Sequence, residues 1–169
     1  MEQHPTLDVV IRTVDLSVLE NVYQFYSSLK DFQLETWVNN AGFGNYDSVA
    51  QQDLEKINTM LRLNVEALTI LSSLFVRDYK DALGTQLINL SSCGGYFKAL
   101  RFSVRRAATI RFLPRPAKAF AVSLPIPELA PVTYCATKFY VSTFTEGVAW
   151  ELIESGAKMR AKVLAPAAT

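Results

Sequence analysis

Short apolar segments rich in β-branched residues alternate along this chain with longer segments whose apolar residues recur at helical spacing. Strands are predicted at residues 7–14, 34–39, 85–90 and 160–165. Helices are predicted between them, at residues 17–30, 48–79 and 134–154, the first two behind capping boxes at Ser17 and Ser48. Because a parallel pair of strands needs a crossover connection, this alternation predicts an α/β fold with a mainly parallel sheet.

Length and charge restrict the class of protein. The chain has 169 residues, half of them hydrophobic, and a formal net charge of +1 at pH 7. This length allows one domain with its own core, and the near-neutral charge argues against a nucleic-acid partner. We find no apolar run that predicts a membrane span and no signal peptide, so we expect a cytoplasmic protein.

Cysteine and histidine are scarce, which limits the kinds of reactive site. Cys93 and Cys135 are too few for a disulfide framework and lack metal-ligand spacing, and His4 is the single histidine. We expect the cysteines to be small packing residues in a reducing compartment. The sequence predicts no metal site and no histidine-based triad.

Basic residues are concentrated in one segment, residues 98–126. It carries seven Lys or Arg and no Asp, Glu or Gly, although the rest of the chain is net acidic. One interpretation is a true insertion, a basic flap for an anionic partner or membrane surface. The other is an intron translated in frame, which the abrupt change of composition favours. We treat residues 1–169 as a single partial domain with this atypical insertion.

Four motifs stand in order at the ends of predicted strands and in predicted helices. They are Asn39-Asn40-Ala41-Gly42, Asn64, Ser92 and Tyr134-Cys-Ala-Thr-Lys138. Because residues i and i+4 share a helix face, the Lys138 ammonium would lie beside Tyr134 and lower the pKa of its phenol. Tyr134 could then exchange a proton with an alcohol or carbonyl oxygen, to which Ser92 would donate a hydrogen bond.

These motifs resemble the short-chain dehydrogenase/reductase (SDR) family, and the resemblance covers nearly the whole chain apart from residues 98–126. It implies a Rossmann-like, doubly wound sheet and an NAD(P)-dependent oxidoreductase that interconverts a small-molecule alcohol and carbonyl. The implied catalytic residues are Asn64, Ser92, Tyr134 and Lys138. The implied cofactor-binding residues are Asp15, Leu16, Asn39, Ala41, Gly42, Tyr134, Lys138 and Pro166.

The resemblance also leaves some properties open. The cofactor can be NAD or NADP, because the strand that sets this choice in the family is not in the chain. The substrate is equally open. Family members often form homo-oligomers through two long helices, which correspond here to residues 48–79 and 134–154.

The sequence departs from the family pattern in three places. No glycine precedes Gly42, so the glycine-rich turn that approaches the cofactor pyrophosphate is missing. Residues 98–126 interrupt the short loop that joins Ser92 to Tyr134, and the family's substrate loop is absent. We therefore expect a truncated sheet that lacks the family's first two strands and its last, with an apolar edge at residues 34–39.

These departures keep other hypotheses open. The chain could be a catalytically incompetent remnant, or a mispredicted gene product that acts, if at all, as an interaction module. A weaker hypothesis is anion or membrane binding through the basic residues 98–118. Cofactor binding and turnover by the purified chain distinguish the oxidoreductase from the remnant.

Overall fold

The computed structural model describes residues 8–45, 47–96 and 132–166. The basic segment 98–126 lies outside this part of the chain. The described elements are α1 (Leu19–Ser27), β1 (Thr36–Asn39), α2 (Leu54–Leu61), a π-helical segment (Arg62–Ala67), α3 (Leu68–Tyr79), β2 (Gln86–Leu90), a 3₁₀ turn (Cys93–Gly95), α4 (Val132–Glu154) and β3 (Arg160–Leu164).

The strands form a parallel sheet in the order β1-β2-β3, with β2 in the centre. Trp37 lies opposite Leu87, and Leu87 lies opposite Ala161. Along the chain, the α2–α3 helix connects β1 to β2, and α4 connects β2 to β3. The predicted α/β fold with an open, mainly parallel sheet is confirmed.

An aromatic core holds the helices on the sheet. The indole of Trp37 lies 5.7 Å from the ring of Phe75 on α3 and 5.6 Å from the ring of Tyr26 on α1, measured between centroids. Phe75 and Leu87 are fully buried. Burial of side chains of this size contributes about 1.5–3 kcal/mol each, so this cluster fixes α1 and α3 on β1 and β2.

The strand predicted at residues 7–14 is wrong for the residues described. Residues 8–14 form no strand, and the side chains of Val9, Val10 and Ile11 are 73%, 61% and 86% exposed. Among the described strands, β1 is paired with β2 alone, so no neighbour is placed to bond residues 8–14. The predicted apolar edge at β1 is present, since Val38 is 51% exposed.

Both predicted capping boxes are also wrong. Asp15 Oδ1 accepts from Ser17 N at 2.9 Å and from Ser17 Oγ at 2.7 Å, so the serine is occupied and α1 begins after Val18 without a side-chain cap. Ser48 Oγ donates to Gln51 Oε1, but α2 begins only at Leu54. Asp53 caps that helix by accepting from Glu55 N at 2.9 Å. The Asp15 carboxylate binds Ser17 without capping α1, whereas the Asp53 carboxylate, a strong acceptor, is the cap of α2.

The continuous helix Leu54–Tyr79 is long and apolar enough, by length and composition, to cross a membrane, with a mean hydropathy of 1.3. Its residues Leu68, Leu71 and Phe75 are buried. Leu71 and Phe75 belong to the aromatic core with Trp37. Packing of this face on the sheet accounts for part of the hydropathy of the helix, since 39% of its apolar window is buried.

Candidate active site

The carboxyl ends of β1 and β2 lie side by side because the strands are parallel and in register. The loop at residues 40–45 leaves β1, and the turn Cys93–Gly95 follows β2. Ligands bind at this edge in open α/β sheets. The first turns of α4 and the π-helical segment complete the same edge, so the predicted motifs converge here.

Lys138 is held at the end of β2. It is 6% exposed, and its Nζ donates to the carbonyl oxygen of Leu90 at 2.8 Å. Burial lowers the pKa of Lys138, because the charged form loses its hydration. The Nζ atom lies 5.7 Å from the ring centroid of Tyr134, within reach of a cation–π interaction. The predicted proximity of Lys138 and Tyr134 is therefore present.

The side chain of Asn64 fixes the loop after β1. Its Oδ1 accepts from Phe43 N at 3.1 Å, and its Nδ2 donates to the Phe43 carbonyl at 2.8 Å. The same Nδ2 donates to Thr137 Oγ1 at 3.1 Å, which joins the loop to α4. Asn64 is 1% exposed and lies in the π-helical segment. Such segments occur frequently at functional sites.

Two glycines let the same loop approach these side chains. A Cβ at Gly42 would lie 3.0 Å from Asn64 Oδ1 and 3.5 Å from Lys138 Nζ. A Cβ at Gly44 would lie 3.0 Å from Cδ2 of Tyr134. Asn64, Lys138 and Tyr134 thus form one cluster beneath the loop, and the small size of Gly42 and Gly44 allows it.

Ser92 lies half-buried at the start of the turn after β2. Its Oγ accepts from Gly94 N at 3.3 Å, which caps the turn. The preceding residue, Ser91, donates from Oγ to the Lys138 carbonyl at 2.8 Å and lies 2.8 Å from Ser142 Oγ. The turn that carries Ser92 is therefore fastened to α4 by its neighbour.

Asn39 belongs to a buried network of polar side chains. Its Oδ1 accepts from Trp37 Nε1 at 2.8 Å, and its Nδ2 donates to Asn89 Oδ1 at 2.9 Å and to Ser72 Oγ at 3.0 Å. Asn89 Nδ2 in turn donates to Thr145 Oγ1 at 3.0 Å. The Asn39 side-chain amide is thus bound within the core.

A cavity of about 190 Å³ adjoins the end of β1. Three of the predicted cofactor-binding residues, Leu16, Asn39 and Ala41, line it together with Val38 and Leu63. Its walls are largely apolar and include the edge of the aromatic core.

Asp15 and Pro166 lie apart from this cavity. Asp15 is exposed, and its hydrogen bonds from Ser17 lower the pKa of its carboxyl. Pro166 follows β3, and its carbonyl accepts from Cys93 N at 3.1 Å, which places it beside the turn that carries Ser92.

Sequence reasoning missed three groups that organise the site: the Ser91 hydroxyl, the Thr137 hydroxyl and the Leu90 carbonyl. Thr137 could have been found, because it lies three residues after Tyr134 and one before Lys138 on the same helix. Its Oγ1 donates to the Tyr134 carbonyl at 2.7 Å and accepts from Asn64. The Leu90 carbonyl carries no side-chain signal and could not have been found.

A larger groove, of about 680 Å³, lies between α3 and α4 on the outer side of the molecule. Tyr140, Phe144, Val148 and Leu152 supply much of its apolar lining. None of the predicted catalytic or cofactor-binding residues line it.

The sequence matches no protein-family model and no curated protein. Solved structures do match. A short-chain dehydrogenase/reductase from Vibrio parahaemolyticus superposes with a TM-score of 0.66 and 24% identity, over 92% of this chain and 59% of that one. A short-chain dehydrogenase from Sphingobium yanoikuyae, solved in complex with NADPH, gives a TM-score of 0.66 and 23% identity, over 92% and 49%.

The bulky-bulky ketone specific alcohol dehydrogenase from Comamonas testosteroni gives a TM-score of 0.63 and 22% identity, over 93% of this chain and 51% of that one. The chain spans less than two thirds of the length of each of these proteins. All three cover more than nine tenths of this chain. The chain therefore has the fold of the short-chain dehydrogenases/reductases.

Proposed function

We propose that this chain is part of an NAD(P)-dependent oxidoreductase of the SDR type, which interconverts an alcohol and a carbonyl on a small molecule. The observation that carries the proposal is the cluster of Lys138, Tyr134 and Asn64 beneath Gly42 at the carboxyl edge of a parallel sheet. Burial of the Lys138 ammonium costs free energy, and groups perturbed in this way concentrate at functional sites.

The described residues fit parts of a dinucleotide. The apolar cavity with Leu16 and Ala41 in its walls suits an adenine ring, and the ammonium of Lys138 would hold the nicotinamide ribose. Gly42 allows a close approach to Lys138, since a Cβ there would reach 3.5 Å from Nζ. The described residues include no glycine-rich turn for the pyrophosphate. When bound, the nicotinamide ring gives or takes the hydride.

The residues of the chain would handle the proton of the reaction. Tyr134 gives its phenolic proton to the substrate oxygen during reduction and takes it back during oxidation. The Lys138 ammonium favours the phenolate form, and its effect is strong because it lies in a region of low dielectric. Ser92, at the end of β2, donates a hydrogen bond to the same oxygen. Asn64 is a positioning residue that acts through Phe43 and Thr137, and the resemblance adds a backbone role in a proton relay.

We also propose properties that concern the cofactor, the location and the assembly of the protein. NAD and NADP are both compatible with the described residues, and the cytoplasm is the expected location. Self-association is proposed through the groove between α3 and α4, because its apolar lining offers a surface for a second copy. A sedimentation measurement on the purified chain tests this, and a monomer at all concentrations would contradict it.

Nucleotide binding tests the function directly. Trp37 lies in the wall of the apolar cavity, so energy transfer from its indole to a reduced nicotinamide would report binding. We expect NADH or NADPH to saturate this signal. We also expect Tyr134→Phe to keep the binding but lower turnover by about 10²–10⁴-fold, the usual contribution of an acid–base group.

The matched control is Tyr140→Phe, since Tyr140 lies six residues further along α4 and contacts Thr69 outside the cluster. This variant should bind and turn over like the parent chain. A folded chain that binds neither nucleotide would overturn the proposal and leave the catalytically incompetent remnant as the better description.

A further inference from the structure

Two cysteines lie on the two elements that carry the proposed catalytic hydroxyls. Cys93 follows Ser92 in the turn after β2, and Cys135 follows Tyr134 in α4. Both thiols are free in the structure. No step of the proposed reaction uses these thiols, although each cysteine directly follows a residue that the reaction uses.

The turn packs directly on α4 at these positions. A Cβ at Gly94, the neighbour of Cys93, would lie 3.0 Å from Cys135 Sγ and 3.8 Å from Ser92 Oγ. A Cβ at Gly95 would lie 2.6 Å from the Lys138 carbonyl oxygen. The Cys93 amide is anchored on Pro166, so the turn has a fixed position. Because two glycines follow Cys93, the backbone of the turn that carries it approaches the Cys135 sulfur on α4 closely.

We propose that Cys93 and Cys135 are a redox modification site, at which a low-molecular-weight disulfide such as glutathione disulfide converts the two thiols into a reversible intramolecular disulfide. Surface exposure sets the order of attack. Cys93 is half-buried and reachable, whereas Cys135 is 7% exposed. Burial, with a smaller contribution from Cys93, raises the pKa of the Cys135 thiol, so it is the poorer first nucleophile.

The reaction consists of two exchanges. The Cys93 thiolate attacks one sulfur of the small disulfide, forms a mixed disulfide and expels the first small thiolate. The Cys135 thiolate then attacks the Cys93 sulfur, forms the protein disulfide and expels the second. The two protons lost by the cysteines go to the expelled thiolates. The two electrons reduce the small disulfide to two thiols.

The new bond would tie the turn that carries Ser92 to the residue after Tyr134. The Ser92 and Tyr134 hydroxyls must meet at one substrate oxygen, so we expect the oxidised protein to lose most of its turnover and a reducing dithiol to restore it. This consequence rests on the proposed function. Formation of the disulfide does not, because it needs neither nucleotide nor substrate.

Peptide mapping tests the bond itself. The purified full chain is incubated with glutathione disulfide, its free thiols are alkylated, and its peptides are identified by mass spectrometry without reduction. We expect the peptides of Cys93 and Cys135 to be joined to each other within one chain, with a loss of both free thiols. Recovery of both cysteines in alkylated form, or a stable glutathione adduct without the joined peptide, would overturn the proposal.

Two single variants test the order of attack. Cys135→Ala should stop at a mixed disulfide on Cys93, and Cys93→Ala should leave Cys135 unmodified over the same time. Equal labelling of the two single variants would contradict the order. If the joined peptides are found only in a covalent dimer of the chain, the bond is intermolecular and the proposal is contradicted. If one variant does not fold, the mapping of the parent chain still decides the proposal.

Discussion

Two regions around β1 differ in how completely their polar groups are hydrogen-bonded and their apolar side chains are buried. At the carboxyl edge of β1 and β2, Asn64, Lys138 and Ser91 each bond to backbone carbonyls of neighbouring elements. At the outer edge of β1, Val38 is half exposed and residues 8–14 form no strand. The first region is fixed by the elements around it, whereas the second has no neighbouring strand among the residues that the structure describes.

This contrast shows what a sheet needs to be well defined. The carboxyl edge between β1, β2 and α4 is built from contacts among these elements, so its geometry is defined by them. A strand is defined by hydrogen bonds to another strand, and residues 8–14 have the composition of one without the partner. Altering each region should therefore have very different consequences.

The largest effect is expected where the turn after β2 meets α4. Gly95→Ala would place a methyl group 2.6 Å from the Lys138 carbonyl, in backbone that cannot move without disturbing α4. We expect a loss of about 3 kcal/mol in the free energy of unfolding, the upper end for overpacking. Urea denaturation measures it.

Gly147→Ala is the matched control for this change. Gly147 lies within α4, and a Cβ there meets no atom within 4 Å. Since alanine is favoured over glycine in a helix by about 0.5–1 kcal/mol, this variant should be more stable than the parent chain. Equal effects of the two substitutions would show that the turn is not fastened to α4.

A smaller loss is expected from the polar network below the site. Asn39→Ala would leave Trp37 Nε1 and Asn89 Oδ1 buried with one partner fewer. The cost should be about 2 kcal/mol, as for buried polar groups left unsatisfied. Asn58→Ala on the exposed face of α2 should change stability by less than about 0.5 kcal/mol. A loss of similar size for both would mean that the network does not stabilise the core.

Elements that local sequence defines could be predicted, whereas those that depend on a distant partner could not. The pattern predicted the positions of β1, β2, β3 and α4 well, although burial follows the apolar residues only in part, since β3 has no buried residue and Phe139 on α4 is 54% exposed. It placed Lys138 beside Tyr134 correctly, since helical spacing fixes that pair. These properties depend on local sequence alone.

The errors arose where a distant residue decides the structure. The composition of residues 8–14 predicts a strand, but pairing depends on a neighbour that local sequence does not reveal. Ser17 has the spacing of a cap, but the carboxylate of Asp15 binds it first. The role of Asn64 as a clamp on Phe43 depends on the fold of a loop, which no spacing rule predicts.

The pH dependence of stability probes the buried charge of Lys138. Below its lowered pKa, both folded and unfolded states carry the ammonium, so its burial imposes a constant cost. Between that pKa and the ordinary value of 10.5, the unfolded state holds more protons, and the free energy of unfolding rises with pH. Lys138→Met should remove this alkaline rise.

Lys158→Met is the control for that experiment, because Lys158 is exposed. Its pH profile should follow that of the parent chain. The profiles are obtained from urea denaturation at a series of pH values between 7 and 10.5. An unchanged alkaline rise in Lys138→Met would mean that another group causes it.

The smallest effect on stability is expected at the outer edge of β1. Val38→Lys places a charge on an exposed position of an edge strand, so the free energy of unfolding should change by less than about 0.5 kcal/mol. Its effect on association should be larger, because a lysine on a strand edge disfavours pairing with another chain. Light scattering at increasing protein concentration measures this, with Val38→Thr as the uncharged β-branched control. If the parent chain, Val38→Lys and Val38→Thr all associate alike, copies of the chain do not meet at the open edge of β1. The groove between α3 and α4 is then the next surface to alter.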